Sequence, residues 1–418
     1  MKFKIFLSVL WASLLAGAVP ALPWSYPGSG IAATGEPVPG DGIYHMDART
    51  LSLGGASAAS AHGPYAVFYN PAGLGLVPRR ALAVSAGLGF AGERVPDERK
   101  YSSSHFFRAG PVSVIYPAGR FFLGVGYARR RDMGYEYDYK SFTQGKADTF
   151  RVESSGGING ITLACGLGVL RDLYAGVTVD LLTGSASGER STVIYRSSRD
   201  IYEGERDFSG TSFSLGAVYS LMEERLIAAA VWNPGYTLRD EWSLERSEYL
   251  WGANNWTESS SSEPEGQRDL SMPSGFTLSA QYNFPGLDRT MLTADVSRRN
   301  WSSFRYREKK DTSDPAYGER IDPSYRDVTA FRAGLEHYID FTTALRAGFA
   351  YEPFYGDTGV DLVKFTAGVG VELSRSFFLD IGLGYGMRTY YGDNPFSDDE
   401  QRVSENIMRI MCSTEWHF

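Results

Sequence analysis

The sequence predicts an all-β protein: a transmembrane, antiparallel, up-and-down β-barrel of about fourteen strands, with an N-terminal hatch plugging its lumen. Three observations predict it. From Arg80 onward, segments of roughly ten residues alternate apolar with small or polar residues, the length a tilted strand needs to cross a bilayer. The connections between segments alternate short and long. Charges inside the segments fall opposite the apolar face. Composition agrees, since 14% aromatic residues, 47 glycines and only 22% charged residues suit a β-rich chain and not a coiled coil or a disordered one.

The N-terminus comes first. Lys2 and Lys4 precede an apolar run from Ile5 to Leu15, and small residues follow at Ala16-Gly17-Ala18 and Val19-Pro20-Ala21. This reads as a signal peptide over residues 1–21, because the run is short for a spanning helix. The chain is therefore expected to be exported. Residues 22–79 are expected to form the hatch and residues 80–418 the barrel with long extracellular loops.

The barrel segments follow in order. "ALAVSAGLGF" places Leu82, Val84, Ala86, Leu88 and Phe90 on one face, and "RFFLGVGYA" does the same with Phe121, Leu123, Val125 and Tyr127. "NGITLACGLGV", "DLYAGVTVDL", "SFSLGAVY", "GFTLSAQY" and "TMLTADVS" repeat the pattern, as do "FRAGLEHY", "ALRAGFAYE", "VKFTAGVGVEL" and "FFLDIGLGYGM". The opposite faces carry Asp180, Asp295, Arg332, Glu336, Arg346, Glu352, Lys364, Glu372, Asp380, Arg388, Glu405 and Arg409. A charge facing lipid near the midplane would cost about 2–4 kcal/mol for Arg or Lys, so these residues are expected inside. Short connections at Pro117–Gly119, Leu170–Arg171, Ile339–Asp340 and Ser374–Arg375 read as periplasmic turns. Long ones near Arg129–Glu153, Gly184–Asp207, Pro234–Ser271 and Arg299–Arg326 read as outer loops. The last segment, "NIMRIMCSTEWHF", is apolar at every second position back from Phe418. Trp416 and Phe418 are read as the signal that engages the barrel-assembly machinery when the closing edge pairs.

A barrel this wide needs more than wall side chains to fill it. The stretch "LSLGGASAASAHGPYAVFYNPAGLG", residues 51–75, is too rich in glycine for a good helix and too small for a self-packing strand. It suits a plug threaded against the wall. Leu51, Leu53, Val67, Phe68 and Tyr69 supply apolar surface, and Asn70-Pro71 fixes a turn.

That stretch resembles the N-terminal signature of the FadL-type outer-membrane transporters, on Gly54, Gly55, Ala56, Phe68, Tyr69, Asn70, Pro71, Ala72, Gly73 and Leu74. "ADVSRRNWSSF" and "LRAGFAYEP" fit the same layout. The resemblance implies a fourteen-stranded barrel with a hatch, and passive uptake of long-chain fatty acids or other hydrophobic molecules. It implies outer capture, a luminal site and hatch rearrangement, with Leu53, Gly54, Gly55, Phe68, Tyr69, Asn70, Pro71, Ala72 and Gly73 at the hatch. The family's wall gap lies at the third strand, which here has Gly124 and Gly126 but no proline. Gly110-Pro111 in the second strand is a possible wall kink, since proline removes a ladder donor. The run from Asp47 to Ala56 also resembles PorV-type barrels that serve protein secretion, and a general porin is the third alternative.

Partners expected are a long-chain fatty acid or other hydrophobic ligand, outer-membrane lipids and the assembly machinery. The aromatic set Tyr249, Leu250, Trp251 and Trp256 reads either as an outer capture surface or as residues packing in the headgroup belt. A net charge of −8 argues against a nucleic-acid partner. Five histidines and two distant cysteines show no metal-ligand spacing. No cofactor is called for, and no Gly-x-Ser-x-Gly turn points to an enzyme. The glycines of "GLGYGM" and "GVGVEL" lie in strands without a following helix and read as small packing positions.

Overall fold

The structure, a computed structural model, describes residues 41–418 apart from 43–44, 62, 77–79, 96–99, 144–145, 223–224, 253–254, 263–264, 288, 310–319, 357–358 and 394–399. The expected signal peptide and the first part of the expected hatch, residues 22–40, lie outside the described residues.

Alternation along the chain becomes one closed antiparallel sheet of fourteen staves. They are β1 (Ala81–Val95), β2 (Lys100–Ala118), β3 (Phe121–Asp132 continuing as Tyr135–Thr143), β4 (Lys146–Gly168), β5 (Leu173–Ile194), β6 (Ser198–Leu221) and β7 (Leu226–Asn233 with Tyr236–Gly252). The second half comprises β8 (Asn255–Ser262, Glu265–Met272 and Gly275–Asn283), β9 (Thr290–Arg299), β10 (Val328–Tyr338), β11 (Thr343–Pro353), β12 (Asp361–Ser374), β13 (Phe377–Asp393) and β14 (Glu400–His417). Closure is direct: β1 pairs with β14 from Ala81↔His417 to Arg94↔Ser404. No edge is left along that seam, which is how a barrel satisfies its backbone without water. Phe418 still bonds through its N–H to the Arg80 carbonyl at 3.0 Å.

Period-two alternation sorts the side chains. Leu88, Phe121, Leu123, Ile161, Leu215, Leu278, Leu335 and Leu383 are exposed on the outside. The charges expected inside are there: Asp180, Asp295, Arg332, Glu336, Arg346, Lys364, Arg388, Glu405 and Arg409 are buried, and Glu352, Glu372 and Asp380 are half-buried. They pair across staves, Arg346 reaching Glu336 and Asp380 at 2.5 Å each and Lys364 and Arg332 sharing Glu352. The outer face tolerates no such charge. Leu278→Arg, midway along the membrane part of β8, is expected to lower the urea-unfolding free energy in lipid by about 2–4 kcal/mol.

Two expectations change. The stretches read as long outer loops are mostly strand, because the staves run on beyond the membrane. β5 pairs with β6 from Leu173↔Tyr219 to Ile194↔Ser198, and β7 with β8 up to the hairpin Trp251↔Trp256. Polar alternation in water looks like loop composition, which is why Ser, Glu and Gly there were misread. The aromatic set is accordingly not in a loop: Tyr249, Leu250, Trp251 and Trp256 sit at a hairpin tip, with the Trp251 and Trp256 rings edge-to-face at 5.1 Å.

The described part of the segment expected to be the hatch lies inside the barrel, in the half nearer the short turns. It comprises α1 (Ala48–Ser52), a short turn at Gly63–Tyr65, α2 (Ala66–Tyr69) and the turn Pro71–Leu76. Val67 and Leu74 pack with Ala81, Ile115, Phe122 and Ala164 of the wall, and Ala58, Ala59 and Ala72 pack with Val218, Ala229 and Val231. The helices are too short to be stable alone; the wall holds them.

Candidate functional site

The hatch owes its shape to a few residues. Asp47 caps α1 by accepting the Thr50 N–H at 2.9 Å, and the Tyr69 hydroxyl donates to the same carboxylate at 2.7 Å while accepting the Met46 N–H. Burial, reinforced by the Asp47 charge, pushes the Tyr69 hydroxyl well above the ordinary tyrosine range, so it stays a donor. Gly54 and Gly55 adopt φ of 70° and 89°, which few residues other than glycine accept. Asn70 is fully buried: its amide donates to the Ala58 carbonyl at 2.8 Å, and its side-chain oxygen accepts the Ala72 N–H at 3.1 Å. That is the turn expected of Asn-Pro.

The wall completes the hatch's hydrogen bonding. Asp295 accepts from Ser57 and Ala58 N–H at 2.8 and 3.3 Å, Ser279 from Ala59 N–H at 3.0 Å, Thr366 from Gly54 N–H at 3.0 Å and Ser413 from Ala48 N–H at 2.5 Å. Arg49 reaches Glu336 at 2.9 Å. Glycines on the inner wall let the hatch backbone come this close. A Cβ on Gly176 would lie 2.5 Å from the Pro71 carbonyl carbon, and one on Gly382, in "GLGYGM", 2.5 Å from the Ala48 oxygen.

Above the hatch lies a luminal space of about 200 Å³. Met46, Gly55, Phe68, Tyr69 and Pro71 form its floor, Arg130, Asp180, Ser212, Asp295 and Arg332 its sides, and Tyr236, Met272 and Trp301 its roof. Arg130 pairs with Asp180 and lies 5.2 Å from the Phe68 ring centroid. Arg299 also lines the space and makes no ion pair among the described residues. The roof belongs to an aromatic cluster in which Trp301 stacks on Tyr355 at 3.8 Å, with Phe304 and Tyr325 against them.

Of the hatch residues singled out in the sequence, Gly55, Phe68, Tyr69 and Pro71 line this space, while Leu53, Gly54, Asn70, Ala72 and Gly73 sit behind it against the wall. Tyr249, Leu250, Trp251 and Trp256 do not reach it. Gly110 and Pro111 lie at a register shift: Val84 faces Val112, Ala86 faces Ala109, and the ladder between β2 and β3 runs only from Val112↔Tyr127 to Ala118↔Phe121. Beyond it, Arg131 and Asp132 of β3 pair with Gly42 and Asp41. Sequence reasoning missed Trp301, Phe304, Tyr325 and Tyr355 as a roof, although "RNWSSF" was visible, and missed the run Arg129-Arg130-Arg131 as a luminal feature. Near the closing seam, Ser413 accepts from the Ala48 N–H and His417 contacts Glu415 at 2.5 Å. Among the described residues, no group of three or more His, Cys, Asp or Glu is placed to hold a metal.

The model of one family, BamG, matches residues 43–412 of the chain. The chain belongs to the BamG family. No curated protein matches it in sequence. Solved structures share its fold. A Pseudomonas aeruginosa FadL homologue superposes with a TM-score of 0.66 at 13% identity, covering 91% of this chain and 100% of that one. The Ralstonia pickettii toluene transporter TbuX gives 0.64 at 17%, covering 90% and 100%. The Pseudomonas putida toluene transporter TodX gives 0.65 at 16%, covering 91% and 99%. The FadL-type barrel expected from the hatch signature is therefore the fold of this BamG member.

Proposed function

We propose that this BamG-family barrel is an outer-membrane channel for the passive uptake of small hydrophobic compounds. The observation that carries the reading is the space inside the barrel, lined by Phe68 and Trp301. Burying apolar ligand surface there would stabilise binding by roughly 25 cal/mol per Å². Its about 200 Å³ falls below the roughly 300–1,000 Å³ of pockets that enclose drug-sized ligands. It suits a single small ring, and the structural likeness to toluene transporters supports that choice.

A second reading is favoured by one observation, the guanidinium of Arg299, which lines the space without an ion pair among the described residues. A long-chain fatty acid could place its carboxylate there if the roof lifts to admit the chain. A general porin fits poorly with a lumen in which the hatch is packed against the wall. A PorV-like shuttle would use the outer rim and leave the space empty.

The way out is read from the hatch. Displacing it would strip wall partners from the Ala48, Gly54, Ser57, Ala58 and Ala59 N–H groups, each costing about 1–3 kcal/mol if left buried and unpaired. Weak ligand binding cannot supply that. Release sideways, where the β2–β3 ladder stops at Pro111, needs no such loss, so we assign exit to that seam with the hatch seated.

Binding of a labelled monoaromatic ring and of a labelled long-chain fatty acid to the purified barrel tests the reading. Ser212→Trp fills the space and is expected to weaken ring binding about tenfold or more, since overpacking costs about 1–3 kcal/mol. Arg299→Gln should weaken only the fatty acid. Negligible binding of both probes to the unaltered protein would sink the proposal.

A further inference from the structure

The luminal space lies between the hatch and an aromatic turn, and the two are held differently. The hatch is held by apolar packing and also by backbone hydrogen bonds and the Arg49–Glu336 ion pair to the wall. The aromatic turn is apolar. After Arg299 the chain leaves β9, turns inward at Trp301–Ser303, and buries Trp301 and Phe304 at 4% and 0% exposure. Tyr355 stacks flat on Trp301 with 13° between the planes, Tyr325 meets Tyr355 edge-on at 4.9 Å, and Phe354 packs behind at 4.7 Å.

Among the described residues its polar fastenings are these: Arg305 donates to the Ser302 and Phe304 carbonyls at 2.8 and 2.6 Å, Arg131 lies 5.6 Å from the Trp301 ring centroid, and the others reach Ser274 and Asp327. Asn300 N–H and side-chain amide donate to Ser274 at 3.0 Å each. Ser302 N–H donates to Asp327 at 3.0 Å, and Arg298 pairs with Asp327 at 2.9 Å where Arg298 is exposed and Asp327 half-buried. An ion pair this open to water contributes little. The turn is thus retained by ring contacts, and ring contacts are what an apolar ligand can replace one for one. A hydrophobic molecule arriving from outside can exchange its own surface for the Trp301–Tyr355 stack without orphaning a backbone group. It cannot do that at the hatch.

We propose that the Trp301–Ser303 turn, with Trp301 stacked on Tyr355, is the outer gate of the luminal space, opened by exchange of ring contacts while the hatch stays in place. This rests on the uptake reading for its purpose, but the gate itself can be tested without any ligand. In a Cys165→Ala, Cys412→Ala background, Ser214→Cys puts a thiol on the side of the space. A membrane-impermeant, charged maleimide is added to the outer face of cells, with heat-modifiable gel mobility as the folding control. The closed gate should make labelling slow. Trp301→Ala should speed it at least about tenfold, the factor expected when a stacked pair is lost from an opening equilibrium. Trp301→Phe, which keeps a ring, should stay near the slow rate. Tyr355→Ala removes the stacking partner from the other side and must shift labelling the same way, which serves if Trp301→Ala does not fold. A folded Trp301→Ala or Tyr355→Ala protein that labels at the unaltered rate overturns the gate. Ring binding in the previous experiment stands or fails separately.

Discussion

Gly334→Val is expected to unseat the hatch and lower the unfolding free energy of the barrel by about 3 kcal/mol or more. The sign is not obvious from the strand alone. Valine suits a β-strand better than glycine, by up to about 1 kcal/mol across the propensity scale. Here packing overrides propensity. A Cβ on Gly334 would stand 2.6 Å from the Cα, Cβ and O of Leu53. Leu53 is fully buried and leads into the left-handed Gly54, so the chain there has little freedom to step aside. Retreat of this corner would break the Gly54 N–H bond to Thr366 and the bond from the Thr366 hydroxyl to the Ser52 carbonyl at 2.9 Å. Overpacking costs about 1–3 kcal/mol, and each orphaned buried group about as much again. The control is Gly252→Val, at a hairpin end with nothing within 4 Å, which should change stability by less than about 0.5 kcal/mol. Urea unfolding followed by tryptophan fluorescence measures both. Equal midpoints for the two variants would mean that the hatch is not seated against β10.

The same interlock shows which parts of the molecule were legible beforehand. Lipid contact leaves a rigid mark: Leu278 and Leu335 must be apolar, and Arg332 and Glu336 must point the other way, so the barrel and its lumen could be read from period-two alternation. The Asn70-Pro71 corner was legible because its turn is local. Beyond the membrane the outward face of a stave meets water, and the apolar mark on that face disappears. Glu189, Glu203 and Glu245 stand opposite one another on neighbouring staves, yet their segments read as loop. Trp301 was hidden for a different reason. Its role depends on Tyr355, which is distant in sequence and meets it only after β9 and β11 have taken their places. The wall glycines were recognised as small packing positions, but which hatch atoms they admit is a property of the closed barrel.

Asp240→Leu is expected to destabilise the outer half of the barrel by about 3–5 kcal/mol. Asp240 is fully buried on β7 and accepts from two arginines that are themselves buried: Arg206, through Nε at 3.1 Å and Nη2 at 2.7 Å, and Arg268, through Nε at 2.6 Å. Around them lie Phe208, Leu238 and Leu270, in the same apolar cluster as Trp301 and Phe304. Removing the carboxylate would take from two buried guanidinium groups the counter-charge they share, while Glu308 stands 3.5 Å from Arg268. Most of the loss would therefore come from stranded charge, not from the intrinsic worth of the pairs. That distinction is measurable. Replacing all three charges with apolar residues of similar size, as Arg206→Met, Asp240→Leu and Arg268→Met together, should recover most of the lost stability, because apolar replacement of a buried ion network is often neutral or favourable. The strong non-additivity expected for groups in contact is the signature to look for in the urea midpoints. If the triple variant is no more stable than Asp240→Leu alone, the network is held by geometry that these ion pairs impose on β6, β7 and β8, and the stranded-charge account fails.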